Sequence, residues 1–461
     1  MAATSSYDRL KELKEFDESK IGVKGLSDSG IKTIPDFFKH PPQTLPDLKS
    51  KFSQANTNIP IIDLSNVNSP DHHQKIVNQI KEAAKSWGFF QVINHGIPIS
   101  VLDETIQAIK AFHEQPYEIK SKYYNRDESN GVTYASNNDL YRSEAACWVD
   151  SLKAQMGPKP LDIELLPEIC RKEVVEWDLS ATKVAETVME LLGEGLGLEP
   201  GKFKELTFSQ TKYVVGHIYP YCPQPDLTMG ITSHTDPGVV TVLLQNQIQG
   251  LQVKHEDRWV EVKPALGGLI INVGDFLQIV SNGEYKSVEH RVVANSCKEP
   301  RISIVEFFNL SKWKGDGYYG PLPELSSAEK PAIYRNFTTQ EFLENFYSKG
   351  LDSKSLIQKI TIRHEVPWGA LKAIFNDYGR VLDIFVSRNP NWDGANFAFL
   401  RFGVEEGLKR AVAIGNGESI DGRRVCVTVA LEGRNGNTYQ RRSDGTTGIQ
   451  AWATFHSEMC S

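Results

Sequence analysis

Two histidines and one aspartate follow each other at a spacing that could bind a single metal ion. His234 and Asp236 are one residue apart, and His290 follows further along the chain. Because side chains at positions i and i+2 of a strand point to the same face, we expect His234 and Asp236 to reach one ion and His290 to come from a neighbouring strand. Two neutral imidazoles and one carboxylate leave coordination positions open, which is typical of oxygen-activating non-haem iron(II) sites. Zinc is the rival metal, but the H-E-x-x-H pattern of zinc hydrolases is absent from the sequence.

A lone H-x-D pattern more often marks surface or hydrogen-bonded structural residues than a metal site. Arg301 and Ser303 change that balance, because they follow His290 and share one face of a predicted strand. A guanidinium offers a planar two-donor fork that matches a carboxylate, and the serine hydroxyl adds a third donor. Tyr219 could donate a phenolic hydroxyl to the same group. The sequence therefore predicts a metal centre beside a binding site for a carboxylate.

Short strands are expected to position these residues. Between about residues 212 and 308, apolar runs are separated by Gly, Pro and Asn-Gly turns, with no helical pattern between them. The predicted strands cover residues 211–219, 239–244, 251–253, 259–262, 269–273, 291–295 and 301–308. Regular strand spacing of this kind favours an antiparallel barrel or jelly roll. A helix is expected before it, where Ile76, Ile80 and Trp87 fall at helical spacing.

Length and composition indicate a globular protein of more than one domain. The 461 residues exceed one ordinary core, and the 40% hydrophobic and 24% charged residues are average values. A net charge of -7 gives no global reason to expect nucleic-acid or membrane binding. The apolar stretches are too short to span a bilayer, and the first residues contain no apolar signal segment. Six scattered cysteines without a C-x-x-C pair are typical of reduced thiols, so we expect a cytoplasmic monomer.

Longer motifs give the chain a family resemblance. The stretches that carry it are residues 59–64, 87–96, 220–230 and 274–291. With them, residues 1 to about 362 resemble the plant 2-oxoglutarate- and iron(II)-dependent dioxygenases. The nearest group is that of the 1-aminocyclopropane-1-carboxylate oxidase homologues and deacetoxyvindoline 4-hydroxylase.

The resemblance implies a set of ligands and a reaction. It implies that His234, Asp236 and His290 bind Fe(II), and that Arg301, Ser303 and Tyr219 bind the distal carboxylate of 2-oxoglutarate. The co-substrates would be 2-oxoglutarate and O2, with ascorbate as reductant and no catalytic side chain beyond the metal ligands. The expected reaction is hydroxylation of a small plant specialised metabolite, with release of succinate and CO2.

The substrate pocket is predicted by analogy alone. Its walls would come from Tyr141, Trp148, Lys153 and Phe308, although Tyr141 and Trp148 could equally be core aromatics. One position departs from the family pattern, since many relatives carry Asn where this chain has His217. His217 could therefore contact the co-substrate differently or simply pack.

The C-terminal part resembles an incomplete RNA-recognition motif domain. Residues 395–402 match the third-strand consensus of that family, with Phe397 and Phe399 as the base-stacking pair. No aromatic first strand precedes the helix at Ala370, although residues 360–362 could form a makeshift one. Residues 363–461 contain 12 Lys and Arg against 11 Asp and Glu, a net charge of +1. We therefore expect a gap in the sheet and weak RNA binding or none.

These observations predict a mainly β protein with α elements. The fold class is a double-stranded β-helix (jelly-roll) core with flanking helices, plus a C-terminal partial ferredoxin-like α/β RNA-recognition unit. The predicted segments are an N-terminal helical lead-in (1–58), an N-terminal dioxygenase region (59–165), a jelly-roll core (207–310), C-terminal helices (311–362), a truncated RNA-recognition-like domain (363–432) and a disordered tail (433–461). The alternative functions are an RNA-binding or bifunctional protein, and an ascorbate-dependent oxidase that makes ethylene from 1-aminocyclopropane-1-carboxylate without 2-oxoglutarate.

Overall fold

The computed structural model divides the chain into two compact units, residues 1–362 and residues 363–461. In the first unit it describes residues 8–44, 58–309 apart from 138, 317–342 apart from 339, residue 344, and residues 355–362. In the second it describes residues 372–386 apart from 374, and residues 396–403, 405–414, 419–420, 423–429 and 449–456. All structural statements below concern these residues.

An eight-stranded sheet forms the larger half of the first unit. Its strand order is β1-β2-β10-β7-β12-β5-β4-β3. The strands are β1 (Ile61–Asp63), β2 (Phe89–Ile93), β3 (Val132–Ser136), β4 (Asp150–Gln155), β5 (Thr211–Tyr219), β7 (Val240–Gln245), β10 (Leu269–Val273) and β12 (Arg301–Asn309). Apart from the parallel pair β1 and β2, neighbouring strands run antiparallel.

A four-stranded antiparallel sheet of order β6-β11-β8-β9 forms the smaller half. Its strands are β6 (Met229–His234), β8 (Leu251–His255), β9 (Arg258–Glu261) and β11 (His290–Val293). A buried cluster joins the two sheets, with members such as Phe89 and Tyr219 from the larger sheet and Val253 and Val292 from the smaller one. We call the side of the larger sheet that carries Tyr219 and Phe89 its inner face. The jelly-roll core predicted from the sequence is confirmed.

Helices cover the other face of the larger sheet. They are α3 (Pro70–Ser86), α4 (Ile99–Glu114), α5 (Tyr117–Lys120), α6 (Arg171–Gly195), α7 (Lys202–Glu205) and α8 (Asp275–Val280). Helix α3 buries Ile76 and Ile80 at helical spacing against the main core. Gly88 follows α3 with φ of +63°, and a Cβ there would lie 2.2 Å from the carbonyl oxygen of Lys286. Only glycine fits at this turn into β2.

Two N-terminal helices, α1 (Arg9–Ser19) and α2 (Gly22–Asp28), pack on the jelly roll. Phe16 of α1 lies in an aromatic cluster with Phe37, Phe38 and Trp148. The side chain of Asp150 accepts hydrogen bonds from the backbone N–H groups of Val23 and Lys24, at 2.9 Å each. The start of α2 is thereby attached to β4.

The segment after the jelly roll contains more than the expected helices. Its described elements include two short paired strands, β13 (Tyr318–Tyr319) and β14 (Phe337–Thr338), and helix α9 (Ser355–Ile360). Residues 360–362 end this helix and contact the first unit, because Thr361 forms a bridge with Tyr334. Those residues therefore do not supply a first strand to the second unit.

The second unit contains a five-stranded antiparallel sheet and helix α10 (Glu405–Ile414), and residues 372–376 apart from 374 are also helical. Its order is β15-β16-β19-β18-β17, and the strands are β15 (Val381–Val386), β16 (Asn396–Phe402), β17 (Ser419–Ile420), β18 (Arg423–Val429) and β19 (Ile449–His456). Leu400, Phe402, Leu408 and Ala411 are buried in its core. The prediction of a central gap is wrong, because β19 lies between β16 and β18. The tail from 433 also differs from expectation, since it contains this strand.

Candidate active site

The two histidines of the predicted metal centre lie directly opposite each other on paired strands. His290 of β11 is the register partner of His234 of β6. The carboxylate Oδ1 of Asp236 lies 3.6 Å from the Nε2 atoms of both histidines. One ligand atom from each of the three residues lies within 4.8 Å of the others. The three donors therefore surround a common point.

Neighbouring groups orient all three donors toward that point. The Nδ1 atom of His234 lies 2.9 Å from the carbonyl oxygen of Thr232, and Nδ1 of His290 lies 3.2 Å from that of Val288. Because a carbonyl oxygen only accepts, Nδ1 carries the proton in each ring and Nε2 keeps its lone pair. Such hydrogen bonds fix the tautomer of metal-binding histidines.

The second oxygen of Asp236 is held away from the histidines. Its Oδ2 accepts hydrogen bonds from Thr241 Oγ1 at 2.6 Å and from Asn272 Nδ2 at 2.7 Å. The register of β7 and β10 pairs these two residues, so they share the inner face. Oδ1 is left as the oxygen that can bind a metal.

Asp236 lies beyond the end of β6, so the predicted i, i+2 strand geometry does not bring it to the histidines. The loop that follows His234 does so, because the carbonyl group of Asp236 accepts a hydrogen bond from the N–H of Asp275. The convergence predicted from the spacing is present, but its cause is the loop.

The electrostatics of the three groups suit a cation. Burial lowers the pKa of His234 to about 4, helped by the neighbouring His290. Burial would raise the pKa of Asp236, but the two histidines and the hydrogen bonds from Thr241 and Asn272 outweigh it and lower that pKa. A neutral imidazole and an ionised carboxylate are the forms that bind metals. The donor set fits the 2-His-1-carboxylate iron(II) site.

A buried arginine without a carboxylate partner lies at the end of the inner face. Arg301 is 1% exposed, and no acidic side chain among the described residues pairs with it. Its Nη2 donates to Gln245 Oε1 at 2.7 Å and its Nη1 to Ser303 Oγ at 3.3 Å, while its guanidinium lies 4.9 Å from the ring centre of Tyr219. The Nε of Arg301 and the Nε2 of Gln245 are buried donors without a partner.

We call these four residues, Tyr219, Gln245, Arg301 and Ser303, the carboxylate pocket. A buried guanidinium is costly unless a counter-ion and further acceptors satisfy it. The unpaired donors and the missing counter-ion fit an anionic ligand with two oxygens, such as the distal carboxylate of 2-oxoglutarate. The structure thus brings Tyr219, Arg301 and Ser303 together as the sequence predicted.

His217 lies on the same inner face, where it is the register partner of both Ser303 and Ser151. Its Nδ1 lies 2.8 Å from Ser151 Oγ. Burial, together with the positive charge of Arg301, lowers the pKa of His217 to about 3, so the ring is neutral. Of the two alternatives for this position, the register favours a place beside the carboxylate pocket.

The four residues predicted for the substrate pocket are dispersed. Trp148 is fully buried in the N-terminal aromatic cluster, and Phe308 is fully buried in the main core on the helix-covered face. Tyr141 is 46% exposed and donates its hydroxyl to Asp17. Lys153 is on the inner face opposite Val215, and its Nζ lies 2.6 Å from Glu128 Oε1.

Three inner-face residues were not predicted from the sequence. They are Thr241, Gln245 and Asn272, which hold Asp236 or Arg301. A signal for them exists, because each is a polar residue inside an otherwise apolar strand. Buried polar residues in such strands need a partner, and here the partner is a functional side chain.

Comparison with known proteins identifies the first unit. A model of the 2OG-Fe(II) oxygenase superfamily matches residues 208–310, and a model described as the N-terminal region of non-haem dioxygenases in morphine synthesis matches residues 59–168. The 1-aminocyclopropane-1-carboxylate oxidase homolog 4 of Arabidopsis thaliana is 46% identical over 351 residues, which cover 76% of this chain and 98% of the relative. A homolog from Solanum lycopersicum is 42% identical over 360 residues, covering 77% of this chain and 98% of the relative.

Solved structures agree with this assignment. The crystal structure of JOX2 in complex with 2OG, Fe and JA has a TM-score of 0.65 and 31% identity, and the match covers 74% of this chain and 98% of JOX2. The rice dioxygenase for auxin oxidation, at 24% identity and a TM-score of 0.57, shares the fold; that match covers 66% of this chain and 100% of the rice chain. The chain belongs to the Fe(II)- and 2-oxoglutarate-dependent dioxygenases, in the group of 1-aminocyclopropane-1-carboxylate oxidase homologues.

The C-terminal unit also matches a known family. An RNA recognition motif model matches residues 362–425, so a dioxygenase is joined to an RNA-recognition-like unit. In the part of the chain that the structure describes, no helix has the length and apolar composition needed to cross a bilayer.

Proposed function

We propose that this dioxygenase hydroxylates a small plant specialised metabolite, with His234, Asp236 and His290 binding Fe(II) and the carboxylate pocket binding 2-oxoglutarate. The observation that carries the proposal is the buried guanidinium of Arg301, which pairs with no acidic side chain among the described residues. It lies on the inner face that also carries Thr241 and Asn272, the residues that hold Asp236. A metal centre whose carboxylate is held from the same sheet face as a buried anion site is what a 2-oxoglutarate-dependent oxidation needs.

The residues of this chain would bind and orient the reactants. When bound, Fe(II) supplies the activation of O2 and the oxidative decarboxylation of 2-oxoglutarate to succinate and CO2. Arg301 and Ser303 would bind the distal carboxylate, which fixes the direction in which the keto acid extends. Asp236 presents one oxygen while Thr241 and Asn272 hold the other. Because the His217 ring is neutral, it carries no negative charge that would compete with 2-oxoglutarate for Arg301.

Partly exposed apolar side chains on the inner face support a small organic substrate. Phe307 is half-buried and is the register partner of Thr241 and Tyr213. Leu243 is also half-buried and lies two residues from Thr241 on the same face. An apolar surface beside a metal centre suits a C–H bond of an organic molecule. The JOX2 structure holds 2OG and Fe together with a further ligand, JA.

The proposal is tested by succinate formation from 2-oxoglutarate with purified full-length protein, Fe(II) and ascorbate, across a panel of plant metabolites. We expect one or more metabolites to raise succinate formation and to gain one oxygen atom by mass spectrometry. His234→Ala should abolish both signals. His72→Ala is the matched control, because His72 is exposed on α3 and its ring lies 3.4 Å from the hydroxyl oxygen of Ser69.

Two results would contradict the proposal. Turnover that survives His234→Ala would show that the metal site takes no part in the reaction. Ethylene formation from 1-aminocyclopropane-1-carboxylate with ascorbate and without 2-oxoglutarate would instead support the alternative oxidase, and Arg301 would then need another ligand.

A further inference from the structure

Lys153 is a second cation on the inner face of the larger sheet. The strands β10, β7, β12, β5 and β4 are consecutive neighbours in that sheet, and their registers assign every second residue to the face that carries Tyr219. Among the described residues at these positions, the charged ones are Arg301 and Lys153. Arg301 belongs to the carboxylate pocket. The positive charge of Lys153 is therefore one that the binding of 2-oxoglutarate does not use.

The ammonium group of Lys153 lies beside an aromatic ring and one exposed carboxylate. Lys153 is opposite Val215, and its Nζ lies 4.8 Å from the ring centre of Tyr213, which is also an inner-face residue. The same Nζ donates to Oε1 of Glu128 at 2.6 Å, and Glu128 begins a short 3₁₀ helix. The Lys153 side chain is 21% exposed, whereas that of Glu128 is 53% exposed. Attraction to the ring keeps the charge over the inner face.

The ion pair between Lys153 and Glu128 can be exchanged at little cost. Water and salt screen a pair in which one partner is half exposed, so such a pair contributes little to stability. An ammonium group also has three N–H donors, and Oε1 of Glu128 occupies one of them. The carboxylate of a bound ligand can therefore replace Glu128 or bind beside it.

Aromatic side chains lie between Lys153 and the metal centre. Phe307 of β12 is the register partner of Tyr213 on β5 and of Thr241 on β7, and Thr241 holds Asp236. Phe307 and Tyr213 are both half-buried. The strands β7 and β4 are three strand spacings apart, about 14 Å. Together with the reach of the lysine side chain, this span suits a small organic molecule that has an apolar body and an acidic end.

We propose that the substrate of this dioxygenase is an organic acid whose apolar body lies on Phe307 and Tyr213 and whose carboxylate binds Lys153. The inference rests on the proposed function, because it assigns a substrate class to that site. The two acids of the reaction then use different cations, since Arg301 binds 2-oxoglutarate and Lys153 binds the substrate. A carboxylate fixed at one end determines which C–H bond reaches the metal centre at the other.

Binding without turnover tests the substrate class directly. Equilibrium dialysis uses the full-length protein with Fe(II) and saturating 2-oxoglutarate in the absence of oxygen, so that the carboxylate pocket is occupied. The probes are arylacetic and cycloalkylacetic acids of increasing size, each paired with its primary amide, which keeps the skeleton and loses the charge. We expect at least one acid to bind roughly tenfold or more tightly than its amide. Lys153→Met should remove this preference, and Lys153→Arg should retain most of it.

Glu128→Gln distinguishes recognition from a structural role of the ion pair. This variant removes the competing carboxylate, so acids should bind several-fold more tightly while amides bind as before. A pair that only held the fold together would weaken binding from either side. Lys202→Met is the matched control, because Lys202 pairs with Glu324 at 2.7 Å and the two side chains are 23% and 47% exposed. It should keep the preference for acids.

Several outcomes would overturn the proposal. They are equal binding of acid and amide across the whole set, a preference that survives Lys153→Met or is lost equally in Lys202→Met, and acid binding that is no tighter in Glu128→Gln. Succinate formation under oxygen separates this inference from the proposed function. If neutral metabolites support turnover and no acid is preferred, the function stands and the substrate class is wrong. If acids bind through Lys153 but no metabolite supports succinate formation, the proposed function fails and the acid-binding site stands.

Discussion

Asp236 depends on two donors that no short motif predicts. Thr241 and Asn272 both bond to its Oδ2, so removing one of them frees the carboxylate to turn. We expect Asn272→Ala to weaken Fe(II) binding about 10- to 100-fold, the usual effect of losing such a supporting hydrogen bond. Anaerobic calorimetric titration of Fe(II) measures this. Asn295→Ala is the control, since the Asn295 side chain is also buried but bonds to backbone groups, donating to three carbonyls and accepting from the N–H of Cys297. Equal losses in both variants would argue against the role of Asn272.

Gln245 offers a sharper test of the carboxylate pocket. Gln245→Glu would place a permanent carboxylate 2.7 Å from Arg301, where the distal end of 2-oxoglutarate is expected to bind. The new ion pair should raise the KM for 2-oxoglutarate by roughly tenfold or more, equivalent to at least about 1.4 kcal/mol of binding free energy. Fe(II) affinity should not change.

A second buried glutamine–arginine pair provides the control for that variant. Gln252 accepts a hydrogen bond from Arg291 at 2.8 Å on the smaller sheet. Arg291 adjoins His290 in the chain, so the two side chains belong to opposite faces of β11. Gln252→Glu should therefore leave the KM for 2-oxoglutarate unchanged. If both variants raise this KM equally, the effect comes from buried charge in general and not from the pocket.

The sequence predicts those site residues whose chemical role can be inferred from the residue type and its spacing in the chain. His234, Asp236, His290, Arg301 and Ser303 needed no knowledge of strand pairing. Thr241 and Gln245 did, because their partners are set by the register of β7 with its neighbours. The analogy chose Phe308, yet a one-residue shift along a strand moves a side chain to the other face. Phe307 is an even number of residues away from Arg301 and Ser303 on the same strand, so it lies with them on the inner face.

At the scale of elements, the attachment of α2 to β4 is open to measurement. Asp150 is fully buried, accepts from Ser136 as well as from the N–H groups of Val23 and Lys24, and leaves no room for a Cβ at Gly22. Asp150→Ala would leave two buried backbone donors unsatisfied. The expected loss is about 2–5 kcal/mol in the free energy of unfolding, measured by urea denaturation.

The control for the Asp150 variant is a residue of helix α2. Asp28 pairs with Lys24 one turn away and is exposed, so Asp28→Ala should cost about 0.5 kcal/mol or less. A loss of free energy for Asp150→Ala that is no larger than this would show that α2 is not held by the carboxylate.

Strands were predictable where apolar runs lie between turn residues, and β5, β7, β10 and β12 agree closely with expectation. β19 was not, for a physical reason. Its segment follows a polar, glycine-rich stretch, and its pairing with β16 and β18 is long-range. Local composition contains no information about a strand that inserts between two earlier ones, so the tail was expected to be disordered.

At the scale of the whole molecule, the chain can be divided between its two units. All residues assigned to iron and 2-oxoglutarate lie in residues 1–362, which form one compact unit. The Arabidopsis relative matches this chain over 351 residues that make up 98% of its own length, so the relative is about as long as the first unit.

We expect a protein ending at Ile362 to fold and to keep the KM for 2-oxoglutarate, the Fe(II) affinity and the metabolite-dependent turnover of the full chain. Loss of turnover with intact Fe(II) binding would contradict this expectation.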